Sequence, residues 1–218
     1  MTTASESRPQ PAEQFDDLKQ QFHADHMGMW IFLSTELMLF GAVFMGFAIN
    51  RYLHPDAFAA AAGHLDLTMS SINTAVLFSS GFTMALAEQA VGEQRRRLGL
   101  GLLGTTIVLG LVFLAIKGYV YYQEMLEGLM PLPWLQFTYD GPSPDQAELF
   151  FNFYYILTGM HAFHMLVGVG AICIVLMLGW RRNNPASWVR QVKIVGMYWA
   201  FVDIVWVFVF TATFLLRA

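Results

Sequence analysis

The sequence predicts an all-α integral membrane protein: a bundle of five transmembrane helices, with the N-terminus inside and the C-terminus outside. Three observations carry this reading. Of the 218 residues, 56% are hydrophobic and only 13% charged, and the mean hydropathy is +0.47; soluble domains average about 25% charged residues. The apolar residues gather in five runs, at 27–49, 68–90, 98–122, 149–180 and 193–216, each long enough for the ~20 residues that a crossing needs. Lys and Arg concentrate in two of the four connections between runs, which sets a direction.

Residues 1–26 form a polar tail, expected in the cytoplasm, and residues 27–218 the membrane domain. The tail lacks the apolar core of a signal peptide, so the first span is expected to direct insertion. The runs are apolar all round, which argues for helices rather than barrel strands, because a helix satisfies its own backbone in lipid. The fourth run exceeds one crossing and is expected to tilt or protrude. Arg95, Arg96 and Arg97 separate spans two and three, and Arg181, Arg182, Arg190 and Lys193 lie between or at the edge of spans four and five. Both connections are therefore expected inside. The 123–148 connection has no Lys or Arg but carries Glu124, Glu127, Asp140, Asp145 and Glu148, and is expected outside. Its four prolines, with Trp134, Phe137 and Tyr139, fit either an interfacial loop capped by aromatics or a docking surface.

The composition also narrows function. A net charge of −4 points to no nucleic-acid partner. The single cysteine, Cys173, permits no disulfide within the chain.

The informative residues are polar groups inside the apolar runs. Glu36 stands in an otherwise uncharged first span, where a carboxyl costs about 2.5–3.5 kcal/mol by insertion scales. His161 and His164 in the fourth span and Asp203 in the fifth fall, like Glu36, near the middle of their spans. A shared depth allows Glu36 to pair with His161 or His164. The cluster fits proton handling equally with polar contacts that hold helices together, and Asp203 taken alone reads as structural. Lys117 lies further toward the outer face, where its stem can snorkel or its ammonium can make a modest pair with Glu124 near the surface. His161 and His164 share a helix face and with Glu36 would offer three metal ligands. That spacing specifies no metal, and the chain is read as binding none. Asn73, Ser79, Ser80 and Gly81, with Gly99, Gly101, Gly104, Gly110, Gly159, Gly168 and Gly170, are expected to let helices approach closely.

In order along the chain, Gly28 to Glu36 (GMWIFLSTE), Asn73 to Gly81 (NTAVLFSSG), Leu157 to His164 (LTGMHAFH) and Tyr198 to Trp206 (YWAFVDIVW) resemble the motifs of subunit III of the haem–copper oxidases. The resemblance covers about residues 27–216 and is to the five-helix form of that family. It implies a non-catalytic subunit of a respiratory terminal oxidase, which reduces O₂ to water with electrons from cytochrome c or quinol and couples this to proton movement. It implies no cofactor in this chain, haem and copper in a partner catalytic subunit, contact with oxidase subunit I and with subunit II, and structural phospholipid in a cleft. The expected role is support of proton uptake, lipid binding and stability, in a bacterial-type plasma membrane. Glu36, His161, His164 and Asp203 match the family's polar positions. Two positions depart: Ala200 stands where the family often has His, and Lys117 and Val120 where it often has Gln and Glu. The Phe150 to Tyr155 segment also resembles accessory subunits of nitric-oxide reductases in the same superfamily. A small proton- or ion-coupled transporter is a third reading, but no internal repeat or mid-span proline supports it.

Overall fold

A computed structural model describes residues 18–131, 137–181 and 185–215. Six α-helices are found: α1 (Leu18–Leu53), α2 (Pro55–Gly63), α3 (Leu67–Gly92), α4 (Arg96–Leu126), α5 (Pro144–Arg181) and α6 (Pro185–Phe210), the last running into a π-helical turn at Thr211–Leu215. No strand occurs among the described residues. The first four predicted runs each lie within one long helix, and the fifth spans α6 and the π-helical turn after it, with residue 216 outside the described residues. Residues 1–17 of the tail, Pro133 and Trp134 of the long connection, and Arg182 also lie outside them.

By length and composition four helices suit a membrane crossing: α1, α4, α5 and the α6 segment. Helix α3 is long enough but carries Ser70, Asn73, Thr74 and Ser80, all buried against the bundle. An average along the chain counts these side chains as exposed polarity, although they face protein. Helix α1 begins ahead of the expected tail boundary and passes through it unbroken. Helix α5, at about 57 Å, exceeds a hydrocarbon core of about 30 Å. The short α2 was not expected. Pro55 is pre-set for the first helical turn, and the alanine-rich stretch after it has high helix propensity. Asp66 then caps α3 by accepting from the Met69 amide at 3.0 Å.

The register between α3 and α6 is antiparallel and reciprocal. Trp206 Nε1 donates to Thr74 Oγ1 and Trp199 Nε1 to Ser80 Oγ, each at 3.0 Å. A Cβ at Gly81 would collide with the Asp203 carboxylate, and one at Gly196 with that of Glu88. Each helix therefore seats a carboxylate of the other over a glycine, seven residues apart on both. Between α4, α5 and α6 the indole of Trp199 wedges against Gly110 and Gly168, where an added Cβ would come to 3.0 Å. Gly99 is equally tight, its Cβ position 2.5 Å from Val91 Cγ2. At Gly101, Gly104, Gly159 and Gly170 a Cβ would meet nothing within 4 Å, so no helix of this chain exploits those glycines. Gly110→Ala and Gly168→Ala should each cost about 1–3 kcal/mol by overpacking. Gly159→Ala should be neutral or gain up to about 1 kcal/mol of helix propensity. Thermal unfolding of the purified chain in detergent separates these outcomes.

Helix α1 stands at the edge. Its buried seam is Leu33, Phe40 and Phe47, at seven-residue intervals, the repeat of a helix-packing seam. Glu36 falls on that seam, three residues after Leu33, and so is aimed at α5. At its start, Asp25 pairs with Arg190 at 3.1 Å and Phe22 lies under Lys193. Arg96 donates to the carbonyls of Gly179 and Trp180 at 3.0 and 2.9 Å, capping the end of α5. These contacts gather the basic residues at one end of the bundle. At the other end Phe137 stacks on Tyr139 and meets Phe151 edge-on, while His64 meets Tyr139. Between α1 and α6 runs an apolar groove of about 800 Å³, walled by Leu37, Phe44, Phe201 and Phe208, with Arg51 among its lining residues.

Candidate functional site: polar groups along α5

Glu36 pairs with His164, not with His161. Glu36 Oε2 lies 2.9 Å from His164 Nε2, and the two side chains are 16% and 11% exposed. His164 Nδ1 lies 2.8 Å from the Met160 carbonyl oxygen. A carbonyl only accepts, so Nδ1 carries a hydrogen. The contact at Nε2 then needs one further proton, placed either on Nε2 beside a carboxylate or on the Glu36 carboxyl beside a bare nitrogen. In either form the pair is neutral overall and holds one transferable proton. This is how the first span offsets its carboxyl. Phe40 packs against the imidazole at 5.1 Å between centroids, and Tyr198 Oη donates to the His164 carbonyl at 3.1 Å.

His161, one turn earlier on α5, is fully buried. Its ring lies 4.9 Å from Trp206 and 5.6 Å from Phe113, centroid to centroid. Asp203 does not join Glu36: one of its oxygens sits over Gly81 of α3, and the other has no hydrogen-bond partner among the described residues. Of the three polar helix-contact residues expected on α3, Ser80 receives the Trp199 indole hydrogen, Asn73 is buried with its Oδ1 unpartnered among the described residues, and Ser79 is exposed and donates to the Ala75 carbonyl of its own helix.

A second polar network lies further toward the start of α5. Lys117, 4% exposed, does not snorkel. Its Nζ donates to Tyr154 Oη at 2.7 Å, and Tyr154 Oη donates to Glu124 Oε1 at 2.8 Å. Tyr155 Oη donates to the other Glu124 oxygen at 2.9 Å. The rings of Tyr121, Tyr154, Trp206 and Phe214 surround the ammonium, with centroids 4.6–5.8 Å away. Tyr121 shares a hydrogen bond of 2.5 Å with Thr158 Oγ1, which donates to the Tyr154 carbonyl. Buried charge here is compensated inside the protein, so Lys117 has no need to reach water.

Comparison with known proteins points the same way as the sequence motifs. A family profile described as cytochrome c oxidase subunit III matches residues 142–217, the segment of α5 and α6 that carries His161, His164 and Asp203. A protein of Staphylococcus haemolyticus named as a probable quinol oxidase subunit 3 is 26% identical over 202 residues, covering 92% of this chain and 93% of its own. Proteins of the same name from Staphylococcus epidermidis and Staphylococcus aureus are each 27% identical, over 206 and 202 residues, covering 94% and 92% of this chain and 95% and 93% of their own. These matches support the haem–copper oxidase subunit III family for this chain.

The structure departs from sequence expectation chiefly at Lys117. A lone lysine near a span end reads as snorkelling, yet Tyr154 and Glu124 internalise it. Glu124 was expected at most as a modest partner of Lys117 near the outer surface, whereas Tyr154 and Tyr155, which join the two inside the bundle, were not expected as site residues; the signal was a lysine and a glutamate seven residues apart, two helical turns on one face of α4. Glu88 was also overlooked. Among the described residues, no group of three His, Cys, Asp or Glu side chains comes together to hold a metal ion.

Proposed function

We propose that this chain is the non-catalytic subunit III of a respiratory terminal oxidase that reduces O₂ to water, with haem and copper in the catalytic subunit it contacts, subunit I, and with subunit II alongside. The observation that carries this reading is the Glu36–His164 pair, a neutral, proton-bearing site on the seam between the edge helix and α5, together with the likeness to that family. The relatives' names specify quinol, which favours quinol over cytochrome c as the electron source. All five long helices cross a bacterial plasma membrane, α3 with its polar face turned inward. The basic end that joins Arg96, Arg190 and Lys193 lies in the cytoplasm, and the C-terminus lies outside. The chain's contribution is to support proton uptake by, and persistence of, the neighbouring subunit. The apolar groove between α1 and α6 fits phospholipid acyl chains.

Purification through a tag on this chain tests the assignment: a haem- and copper-bearing subunit should come with it and the complex should consume O₂. If no such subunit ever co-purifies, or if the complex reduces nitric oxide instead, the proposal fails. For the pair itself, Glu36→Gln should assemble normally, because an amide still bonds His164, while O₂ consumption or its persistence falls. Glu36→Ala should in addition cost about 1–3 kcal/mol, the penalty of a buried group left unpartnered. Should both variants turn over for as long as the parent, Glu36 has no part in turnover.

A further inference from the structure

We propose that His161 is an internal water-binding site, placed between the two polar networks of α5. Its side chain has no exposure, and neither Nδ1 nor Nε2 has a hydrogen-bond partner among the described residues. An imidazole always presents two hydrogen-bonding edges: one donor and one acceptor when neutral, two donors when charged. Leaving both unmet in a packed interior is unfavourable, and buried polar groups almost always find a partner, ordered water included.

The neighbours cannot supply that partner. Phe113 and Trp206 present rings to the imidazole, and the hydrogen of Trp206 Nε1 goes to Thr74. The hydroxyl of Tyr198 donates to the His164 carbonyl and that of Thr158 to the Tyr154 carbonyl. With no exposure, the ring is also closed to side chains of another subunit. The ligand must therefore be small and able both to donate and to accept. A cation is disfavoured, because the Lys117 ammonium lies 5.8 Å from the same Trp206 ring that His161 faces at 4.9 Å. Water meets every requirement. Its position has a consequence along α5: Thr158 lies one turn to one side of His161, joined to the Lys117–Tyr154–Glu124 network, and His164 lies one turn to the other, joined to Glu36. Hydration of His161 places a mobile hydrogen-bonding group in the apolar gap between them.

The test is a structure of the purified complex at a resolution that shows ordered water, for the parent and for His161→Phe, with thermal unfolding of both. Density within hydrogen-bond distance of a His161 nitrogen is expected in the parent and not in the variant, and the variant should gain no thermal stability. Three results would overturn the proposal: no density at either nitrogen together with a higher melting temperature for His161→Phe, a protein group found bonded to the ring, or anomalous scattering that marks a metal there.

Discussion

Glu124→Ala should be the most damaging change at the contact of α4 with α5, costing about 3–5 kcal/mol, the range found when one partner of a buried charged pair is removed. The reason is the number of groups that depend on one carboxylate. Tyr154 and Tyr155 each give it a hydrogen, and Lys117 reaches it through Tyr154. Without it, two phenols lose their acceptor, and a lysine that is 4% exposed loses its counter-charge. Lys117→Met should cost less, about 1–3 kcal/mol, because Glu124 keeps both tyrosine hydrogens. The double change Lys117→Met with Glu124→Gln removes both charges and leaves an amide oxygen for a phenol. It should therefore unfold at a higher temperature than Glu124→Ala alone. If instead the double variant is as labile as the sum of its parts, the two residues are not coupled and the network reading is wrong.

That network also shows where reading along the chain stops being informative. The apolar runs marked where the long helices lie, because hydropathy over some twenty residues is a property of one segment. The depth of Glu36 narrowed its partner to two histidines, because rise per residue is constant. Azimuth decided between them: Glu36 shares a seam with Leu33 and Phe40, and on α5 His164 faces that seam while His161 turns toward Phe113 and Trp206. Asp203 was at the right depth and on the wrong side, facing Gly81. Lys117 was misplaced for a related reason. Snorkelling assumes that a long side chain has only lipid and water to choose from, and Tyr154 offered a third option. The glycines divide in the same way: Gly110 and Gly168 meet Trp199, whereas Gly159, in the most recognisable motif of the chain, faces no other helix.

Trp206→Ala is the other change expected to have a large effect, about 3–5 kcal/mol, as for other large aromatic side chains removed from a packed interior. Trp206 is 1% exposed, and its indole touches each of the other core helices. It donates to Thr74 on α3, meets Phe113 edge-on at 4.8 Å on α4, lies against His161 on α5 and forms one wall of the cage around Lys117. Two contributions can be separated. Trp206→Phe keeps an aromatic wall but loses the hydrogen bond to Thr74 and part of the volume, and should cost about 1–3 kcal/mol. The alanine variant also opens a cavity between His161 and the Lys117 cage. Its melting temperature should therefore lie well below that of the phenylalanine variant. Equal losses for the two would mean that the Thr74 hydrogen bond, and not the filled volume, is what Trp206 contributes. That outcome would also weaken the cage: a lysine whose aromatic wall can be removed without further loss is held by Tyr154 and Glu124 alone.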